Sequence, residues 1–356
     1  MSPAATLGKD VLIESIEQIA HHNVFQVTFT GGEVLLHKNL LFEGVKRVMG
    51  HGMTFTVNTN LTRLTDEDAK TLRGLGLTGI LTSVSSGDRS IHDHISQRNG
   101  AFDETASGIK RAINAGMTVA ASMVVTTINI DHVISTGRKL KDFGVTQFFA
   151  TKASPPINAV DFKRYMLTID DLNKVLEDLC VLKSVDGMDV GILECYPLCS
   201  YGDVVRYPFV ASRRCSAGIT SCTIGPSGDI RACSHSDVIY GNVMTTGLDG
   251  AWQSMENQRD GSLLPIVCRK CALLPSCSGG CRVDAYYCAG KYNALDPYAQ
   301  PNNVHNIFAH DTEVAPVDMN EKFVVNTRLR FRKEHGFVLC ADIANMGTPA
   351  PLTPDT

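Results

Sequence analysis

The sequence has no strong excess of basic residues and no long apolar run. Its 33 lysines and arginines against 37 aspartates and glutamates give a formal net charge of −4, which excludes the basic surface typical of nucleic-acid-binding proteins. No apolar run reaches the roughly 20 residues that a membrane helix needs, and the N-terminus lacks the charged-then-apolar order of a secretory signal. We therefore expect a cytoplasmic protein that contacts neither nucleic acid nor membrane.

Cysteine is absent from the first half of the chain. None of the twelve cysteines precedes Cys180, and nine of them lie between Cys195 and Cys281. Because the cytoplasm is reducing, metal ligation by thiolates is a better interpretation of this concentration than a disulfide network. With 356 residues, 44% of them hydrophobic, the chain is long enough for a main domain and a smaller one.

Helical and strand patterns alternate from about residue 9 to residue 151. Apolar, β-branched segments predict strands at 25–29, 53–57, 77–84, 117–125 and 145–150. The segments between them have the length and periodicity of helices, and a further helix is predicted near 169–182. This order predicts parallel β/α units, with the helices packed outside the sheet.

Polar and glycine-rich segments follow three successive predicted strands. They are TGGE (30–33), NTN (58–60) and SVSSGD (83–88). In parallel α/β folds, ligands bind at the carboxyl ends of the strands. Each segment alone is typical of an ordinary turn, but three in successive loops favour one shared site. A glycine pair lets a ligand approach the backbone, and Glu33 adds a charge beside it.

The cysteines of the second half recur at short spacings. The pattern is Cys215-x6-Cys222-x10-Cys233, followed by Cys268-x2-Cys271-x5-Cys277-x3-Cys281. Such spacings in loop-rich sequence indicate zinc or iron–sulfur ligation. Seven cysteines without a well-spaced histidine leave one four-thiolate set and three more, which favours iron–sulfur clusters over zinc. Cys195 and Cys199 are interpreted instead as packed thiols of the core or of the surroundings of a cluster.

The segment from Cys215 to Cys281, including CTIGPSGDIRAC and the later GN, resembles the SPASM extension of radical S-adenosylmethionine (SAM) enzymes. The preceding half resembles their barrel. The resemblance implies an α/β fold: a partial (β/α)6 TIM-like barrel over 1–190 whose first strand is missing, and a small cysteine-rich SPASM domain over 191–305. A C-terminal tail over 306–356 is expected to contain a β-hairpin.

The same resemblance implies how the cofactor S-adenosyl-L-methionine binds. Its methionine amino group would meet the TGGE segment, at Gly31, Gly32 and Glu33, where a carboxylate and backbone oxygens suit an ammonium group. Asn58 and Asn60 match a strand-end segment near the cofactor, and Ser85 matches a ribose contact.

Two auxiliary 4Fe-4S clusters are also implied. Cys215, Cys222, Cys233 and Cys281 would hold the first cluster, and Cys268, Cys271 and Cys277 the second. The family places the last ligand of the second cluster where this chain has Ala299, in NALDPYAQ. The resemblance thus predicts an open iron in the second cluster, unless Cys288 or Cys340 substitutes.

Asp284 follows directly on the cysteine run. It is a candidate catalytic acid or base, and a structural hydrogen bond is the alternative interpretation.

The function that the resemblance implies is a radical SAM/SPASM maturase that crosslinks or oxidises side chains of a precursor peptide or protein, with flavodoxin or ferredoxin as electron donor. An enzyme similar to anaerobic sulfatase maturases is a further alternative.

The chain departs from the family at its start. Radical SAM enzymes hold their reactive cluster with a Cys-x3-Cys-x2-Cys loop after the first strand, and this chain has no cysteine before Cys180. As written, it is expected to be inactive and truncated at the N-terminus. The alternatives are a non-catalytic iron–sulfur protein, which carries electrons or is the partner subunit of a complete maturase, and a zinc-ribbon module.

Overall fold

The computed structural model describes residues 6–155, 161–201, 206–211 and 213–303, together with three C-terminal strands. The helices are α1 (Lys9–His21), α2 (Lys38–Gly50), α3 (Asp66–Gly74), α4 (Arg89–Ser96), α5 (Ala101–Asn114), α6 (Val133–Asp142), α7 (Ile169–Ser184), α8 (Pro208–Ala211), α9 (Gly247–Ser254), α10 (Leu274–Cys277) and α11 (Arg282–Ala289). The strands of the first half are β1 (Gln26–Phe29), β2 (Thr54–Asn58), β3 (Gly79–Ser83), β4 (Thr118–Val125), β5 (Gln147–Lys152) and β6 (Asp189–Gly191).

These six strands form one parallel sheet, which confirms the predicted α/β fold. They are hydrogen-bonded in the order β1-β2-β3-β4-β5-β6, so that β1 and β6 lie at the two edges. No pairing between those two edges is present among the described residues, and the sheet is therefore open rather than a closed barrel. Strand β6 and helix α4 were not predicted, because three and eight residues are too short to show a period.

The main core lies between the sheet and its helices. Ile80, Val119 and Phe148, from three neighbouring strands, are fully buried, and Leu176 and Leu179 of α7 belong to the same cluster. The strands are apolar because both faces of a parallel sheet are covered in such folds. None of the helices described is long and apolar enough to cross a membrane.

The cysteine-rich region contains a small antiparallel sheet of β7 (Thr223–Ile224), β8 (Asp229–Arg231) and β9 (Gly241–Asn242). The segment CTIGPSGDIRAC forms the hairpin of β7 and β8. This sheet has its own buried cluster, which includes Ile230 and Met255. Gln18 of α1 joins it to the main domain, because its amide donates to the Val243 carbonyl (2.9 Å) and accepts from the Leu248 N–H (2.8 Å).

The C-terminal strands pair with one another. β10 (Leu329–Glu334) is antiparallel to β11 (Phe337–Asp342), which is antiparallel to β12 (Ala350–Leu352). The structure thus shows a hairpin in the predicted tail. The rest of that segment, 304–328 included, lies outside the described residues.

Helix α5 packs very closely on the loop after β2. Leu61 is fully buried with a φ of 62°, and a Cβ added at Gly108 would lie 2.7 Å from the Leu61 Cβ. We expect Gly108→Ala to reduce the free energy of unfolding by about 1–3 kcal/mol, because the helix has to move away.

Urea denaturation followed by circular dichroism measures this effect. Gly74→Ala, where an added Cβ meets no atom within 4 Å, is the matched control and should be neutral or slightly stabilising. Equal midpoints for wild type and Gly108→Ala would contradict the packing described.

Candidate functional site

Glu33 connects the loops that follow β1 and β2. Its Oε1 accepts hydrogen bonds from the Leu35 N–H (2.9 Å) and the Thr59 hydroxyl (2.6 Å), and its Oε2 accepts one from the Asn60 N–H (2.8 Å). The carboxylate therefore has a fixed orientation at the carboxyl edge of the sheet. The sequence predicted a ligand-facing acid here but not this connection between loops.

The two glycines before Glu33 face open space. A Cβ added at Gly31 or Gly32 would meet no atom within 4 Å. Gly31 has a φ of 122°, a conformation that L side chains rarely adopt. The backbone beside Glu33 is thus accessible, as the binding of an ammonium-bearing cofactor requires.

The other predicted cofactor contacts lie on the neighbouring strand ends. Asn58 ends β2, and the Asn60 side chain accepts a hydrogen bond from the Thr62 N–H (3.0 Å). Because β1, β2 and β3 are adjacent and parallel, the loops that follow them share one edge. The structure therefore brings the three predicted polar segments together.

Ser85, in the loop after β3, is held by its backbone. Its N–H donates to Nδ1 of His92 (3.2 Å), and its carbonyl accepts from the Asn129 amide (2.8 Å). Burial lowers the pKa of His92, which keeps the ring neutral and able to accept this hydrogen bond. Ser85 is half-buried, and both of these contacts are made by its backbone.

The cysteines that the structure describes are all free thiols. Three of them meet in one group, because Cys195 and Cys281 belong to one buried cluster and Cys215 packs against it. Hydrogen bonding by the neighbouring Cys195 thiol lowers the pKa of Cys215 to about 7. Burial, with a smaller contribution from Cys215 and Cys281, raises the pKa of Cys233 to about 11.

Cys222 takes a different position from its predicted partners. It packs against the buried cluster of the small sheet around Ile230, and burial raises its pKa to about 11. Of the four cysteines predicted to hold the first cluster, the structure thus places Cys215, Cys233 and Cys281 near one another, with Cys195 beside them.

A second group lines a cavity of about 320 Å³. Its thiols are those of Cys268, Cys271 and Cys277, as the sequence predicted, together with that of Cys199; Ala299 lines the same cavity. Burial, and less strongly the neighbouring Cys277 and Cys268, raise the pKa of Cys199 to about 11.

The thiol groups fit iron–sulfur ligation by their chemistry. No three or more Cys, His, Asp or Glu side chains within the described ranges are placed to hold a single metal ion. The ligands of a four-iron cluster bind different iron atoms, so their spacing is wider than around one ion. Buried donor sets made only of sulfur are those that iron–sulfur clusters use.

A buried ion pair joins the end of β5 to the cysteine region. The Lys152 ammonium contacts the Asp284 carboxylate, and both side chains are 0% exposed. The ammonium also lies 5.6 Å from the ring centre of Tyr196 and 5.4 Å from that of Tyr298. Burial alone would lower the pKa of Lys152, but Asp284 and Asp296 raise it well above its ordinary value.

This pair also positions Cys281. The Asp284 N–H donates to the Cys281 sulfur (3.4 Å), and the Cys281 N–H donates to Asp296 (2.7 Å). Asp284, the predicted acid or base, is thus held in a structural ion pair. Sequence reasoning missed Lys152, whose only signal is a charge at the end of the apolar segment FFATK.

Two protein families match this chain. Residues 3–140 match the radical SAM superfamily. Residues 215–282 match SPASM, described as an iron–sulfur cluster-binding domain. The first match covers the strands whose loops carry Glu33, Asn60 and Ser85, and the second covers both cysteine groups apart from Cys195 and Cys199.

Curated relatives are identical to this chain at about a quarter of the aligned positions. Mycofactocin maturase MftC of Mycolicibacterium smegmatis is 25% identical, over 79% of this chain and 72% of its own. PqqA peptide cyclase of Methylocella silvestris is 24% identical, over 88% and 85%. An AdoMet-dependent heme synthase of Oleidesulfovibrio alaskensis is 22% identical, over 76% and 73%.

Solved structures share the fold. Streptococcus suis SuiB, bound to its precursor peptide SuiA, superposes with a TM-score of 0.67 and 16% identity, over 82% of this chain and 69% of its own. Native anSMEcpe with bound AdoMet gives a TM-score of 0.65 and 17% identity, over 85% and 87%. These similarities extend across both the parallel sheet and the cysteine-rich region.

Proposed function

We propose that this chain, which matches the radical SAM superfamily over residues 3–140 and the SPASM domain over residues 215–282, acts in the maturation of a ribosomally made peptide, by crosslinking or oxidising its side chains. One of the relatives above is named a peptide cyclase and another a maturase, and SuiB was solved with a precursor peptide. A peptide substrate is therefore the best supported class. We also propose a cytoplasmic location, because a reducing compartment keeps such thiols available to bind clusters.

The observation that carries this proposal is the pairing of two features. The carboxyl edge of the sheet presents Glu33 beside accessible glycine backbone, and the cysteine region gathers free thiols into two groups. When bound, iron–sulfur clusters supply one-electron transfer, and S-adenosylmethionine supplies the reactive fragment. The chain supplies ligands and orientation for both.

We assign the thiols as follows. Cys268, Cys271 and Cys277 hold one cluster, and Cys215, Cys233 and Cys281 hold three positions of the other. Cys222, from the family pattern, and Cys195, from its place in one buried cluster with Cys281, compete for the remaining position. The iron contents of Cys195→Ala and Cys222→Ala decide between these two cysteines, because only the variant that loses a cluster ligand should bind less iron.

The reactive cluster of radical SAM enzymes needs the three cysteines of a Cys-x3-Cys-x2-Cys loop. The 356 residues contain no cysteine before Cys180. We propose that the chain alone does not cleave S-adenosylmethionine, and that flavodoxin or ferredoxin reduces its clusters. The second candidate function is that of a partner subunit that supplies clusters to a complete maturase. Its thiol groups, which could carry electrons for another enzyme, are the observation that supports this candidate.

Co-expression with the short peptides encoded beside the gene tests the function. We expect mass spectrometry to show peptide that has lost two hydrogen atoms when the upstream reading frame supplies a Cys-x3-Cys-x2-Cys segment. Modification that requires a separate complete enzyme would support the partner role. If no peptide is bound or modified in either arrangement, the maturase proposal is wrong.

Glu33→Gln should weaken S-adenosylmethionine binding about tenfold, equivalent to about 1.4 kcal/mol. The neutral amide cannot pair with the cofactor's ammonium, and only one of its terminal atoms accepts hydrogen bonds. Equilibrium dialysis of the anaerobically purified protein measures the affinity. Glu43→Gln is the control, since that carboxylate pairs with Lys9 between α1 and α2 (3.0 Å); equal losses in both variants would contradict the role of Glu33.

A further inference from the structure

The cavity of the second cysteine group contains four thiols rather than three. Cys199 lines it together with Cys268, Cys271 and Cys277. Cys199 comes from a different part of the chain, the short 3-10 turn Leu198–Ser200 after β6. Its residue is 9% exposed, and Cys277 and Cys268 lie close enough to raise the pKa of its thiol.

The turn that carries Cys199 is fixed at both ends. The Leu198 N–H donates to the Cys277 sulfur (3.4 Å), and the Ser200 hydroxyl donates to the Tyr298 carbonyl (2.8 Å). The turn therefore contacts a predicted cluster ligand on one side and the segment around Ala299 on the other. The position of Cys199 is set by these contacts rather than by its distance along the sequence from the other cysteines.

The Cys199 sulfur lies beside the position where the resemblance predicts the last ligand. It accepts a hydrogen bond from the Gln300 N–H (3.2 Å), and Gln300 follows Ala299 directly. Ala299 itself has no group that can bind iron. The Cys199 thiol comes from a distant segment of the chain. It thus lies where the side chain of a cysteine at position 299 would lie.

We propose that Cys199 is the fourth thiolate ligand of the cluster held by Cys268, Cys271 and Cys277. This rests on the proposed function, because it assumes that the second thiol group holds a four-iron cluster. All four irons then have protein ligands, and no iron is left open to substrate. The second cluster is accordingly an electron carrier rather than a site that anchors the peptide.

Cys288, which the sequence analysis named as a substitute for the missing ligand, does not compete. The groups that influence the Cys288 thiol are Asp284, Asp296, Lys163 and Lys152, and no cysteine is among them. Cys288 is also absent from the residues that line the cavity. It therefore serves as the matched control for Cys199.

The experiment compares wild type, Cys199→Ala, Cys288→Ala and the double variant Cys199→Ala/Ala299→Cys. Each full chain is purified anaerobically and analysed for iron and sulfide. Each is then reduced, and its electron paramagnetic resonance spectrum is recorded with and without cyanide, which binds an open iron. Circular dichroism checks that each variant is folded.

We expect cyanide to leave the second-cluster signal of wild type and Cys288→Ala unchanged. In Cys199→Ala, that signal should shift with cyanide, or the iron content should fall by about half. The double variant should regain the wild-type behaviour, because a cysteine at 299 occupies the same corner of the cavity.

Two results would overturn the proposal while leaving the proposed function intact. One is a cyanide-dependent shift of the second-cluster signal in wild type. The other is a Cys199→Ala protein with full iron and sulfide and no response to cyanide. Wild-type protein without any iron–sulfur cluster would overturn both the inference and the function.

Discussion

Lys152→Met should reduce the free energy of unfolding by about 3–5 kcal/mol. The substitution leaves the Asp284 carboxylate fully buried without its cation, and one of its oxygens, Oδ1, already has no hydrogen-bond partner among the described residues. Asp296, whose pKa burial raises, is close enough to depend on the same lysine. Urea denaturation of the anaerobic protein measures the change.

Two controls separate the buried charge from a general effect of losing a lysine. Lys152→Met/Asp284→Leu should recover part of the loss, because replacing both ions by apolar groups leaves one fewer unpaired charge. Lys174→Met removes an exposed lysine that pairs with Asp131 and Asp178 at 3.3 Å, and it should change stability by less than about 1 kcal/mol. A Lys152→Met protein as stable as the Lys174→Met protein would show that the buried pair does not form.

Cys281→Ala should remove about half of the bound iron and sulfide. Cys281 belongs to the first thiol group, and its sulfur also accepts a hydrogen bond from the Asp284 N–H (3.4 Å) at the start of α11. Loss of this thiol thus removes a cluster ligand and the cap of that helix.

Cys180→Ala is the control for this variant. Cys180 lies in α7, and the one contact of its sulfur that we describe is with the Arg206 carbonyl, at 4.0 Å. Its iron content should equal that of wild type. Full iron content in Cys281→Ala would remove this cysteine from the ligands.

The alternation of strands and helices in the first half was predictable, because the predicted strands are short apolar runs and the predicted helices show apolar residues at helical spacing. The predicted strand 25–29 corresponds to Gln26–Phe29, and the predicted helix near 169–182 to Ile169–Ser184. The order of polar loops at the strand ends also followed, since adjacent parallel strands place their loops at one edge. Strand β6 was not predicted, because three residues are too few to show the sequence pattern of a strand.

The site was only partly predictable. The spacing of Cys268, Cys271 and Cys277 predicted that they lie together, because residues close in sequence can line the same cavity. It failed for Cys199, which reaches that cavity through contacts with residues about 80 to 100 positions away in sequence. Lys152 and Asp284 are separated by 132 positions, and no local pattern indicates such a pair.

The most direct test of the account is a count of iron, acid-labile sulfide and zinc in the anaerobically purified chain. Two four-iron clusters predict about eight iron atoms and about eight sulfides per chain, with zinc absent. Bound zinc without labile sulfide would contradict the account, because the two thiol groups would then be structural zinc ligands and the chain could not carry electrons.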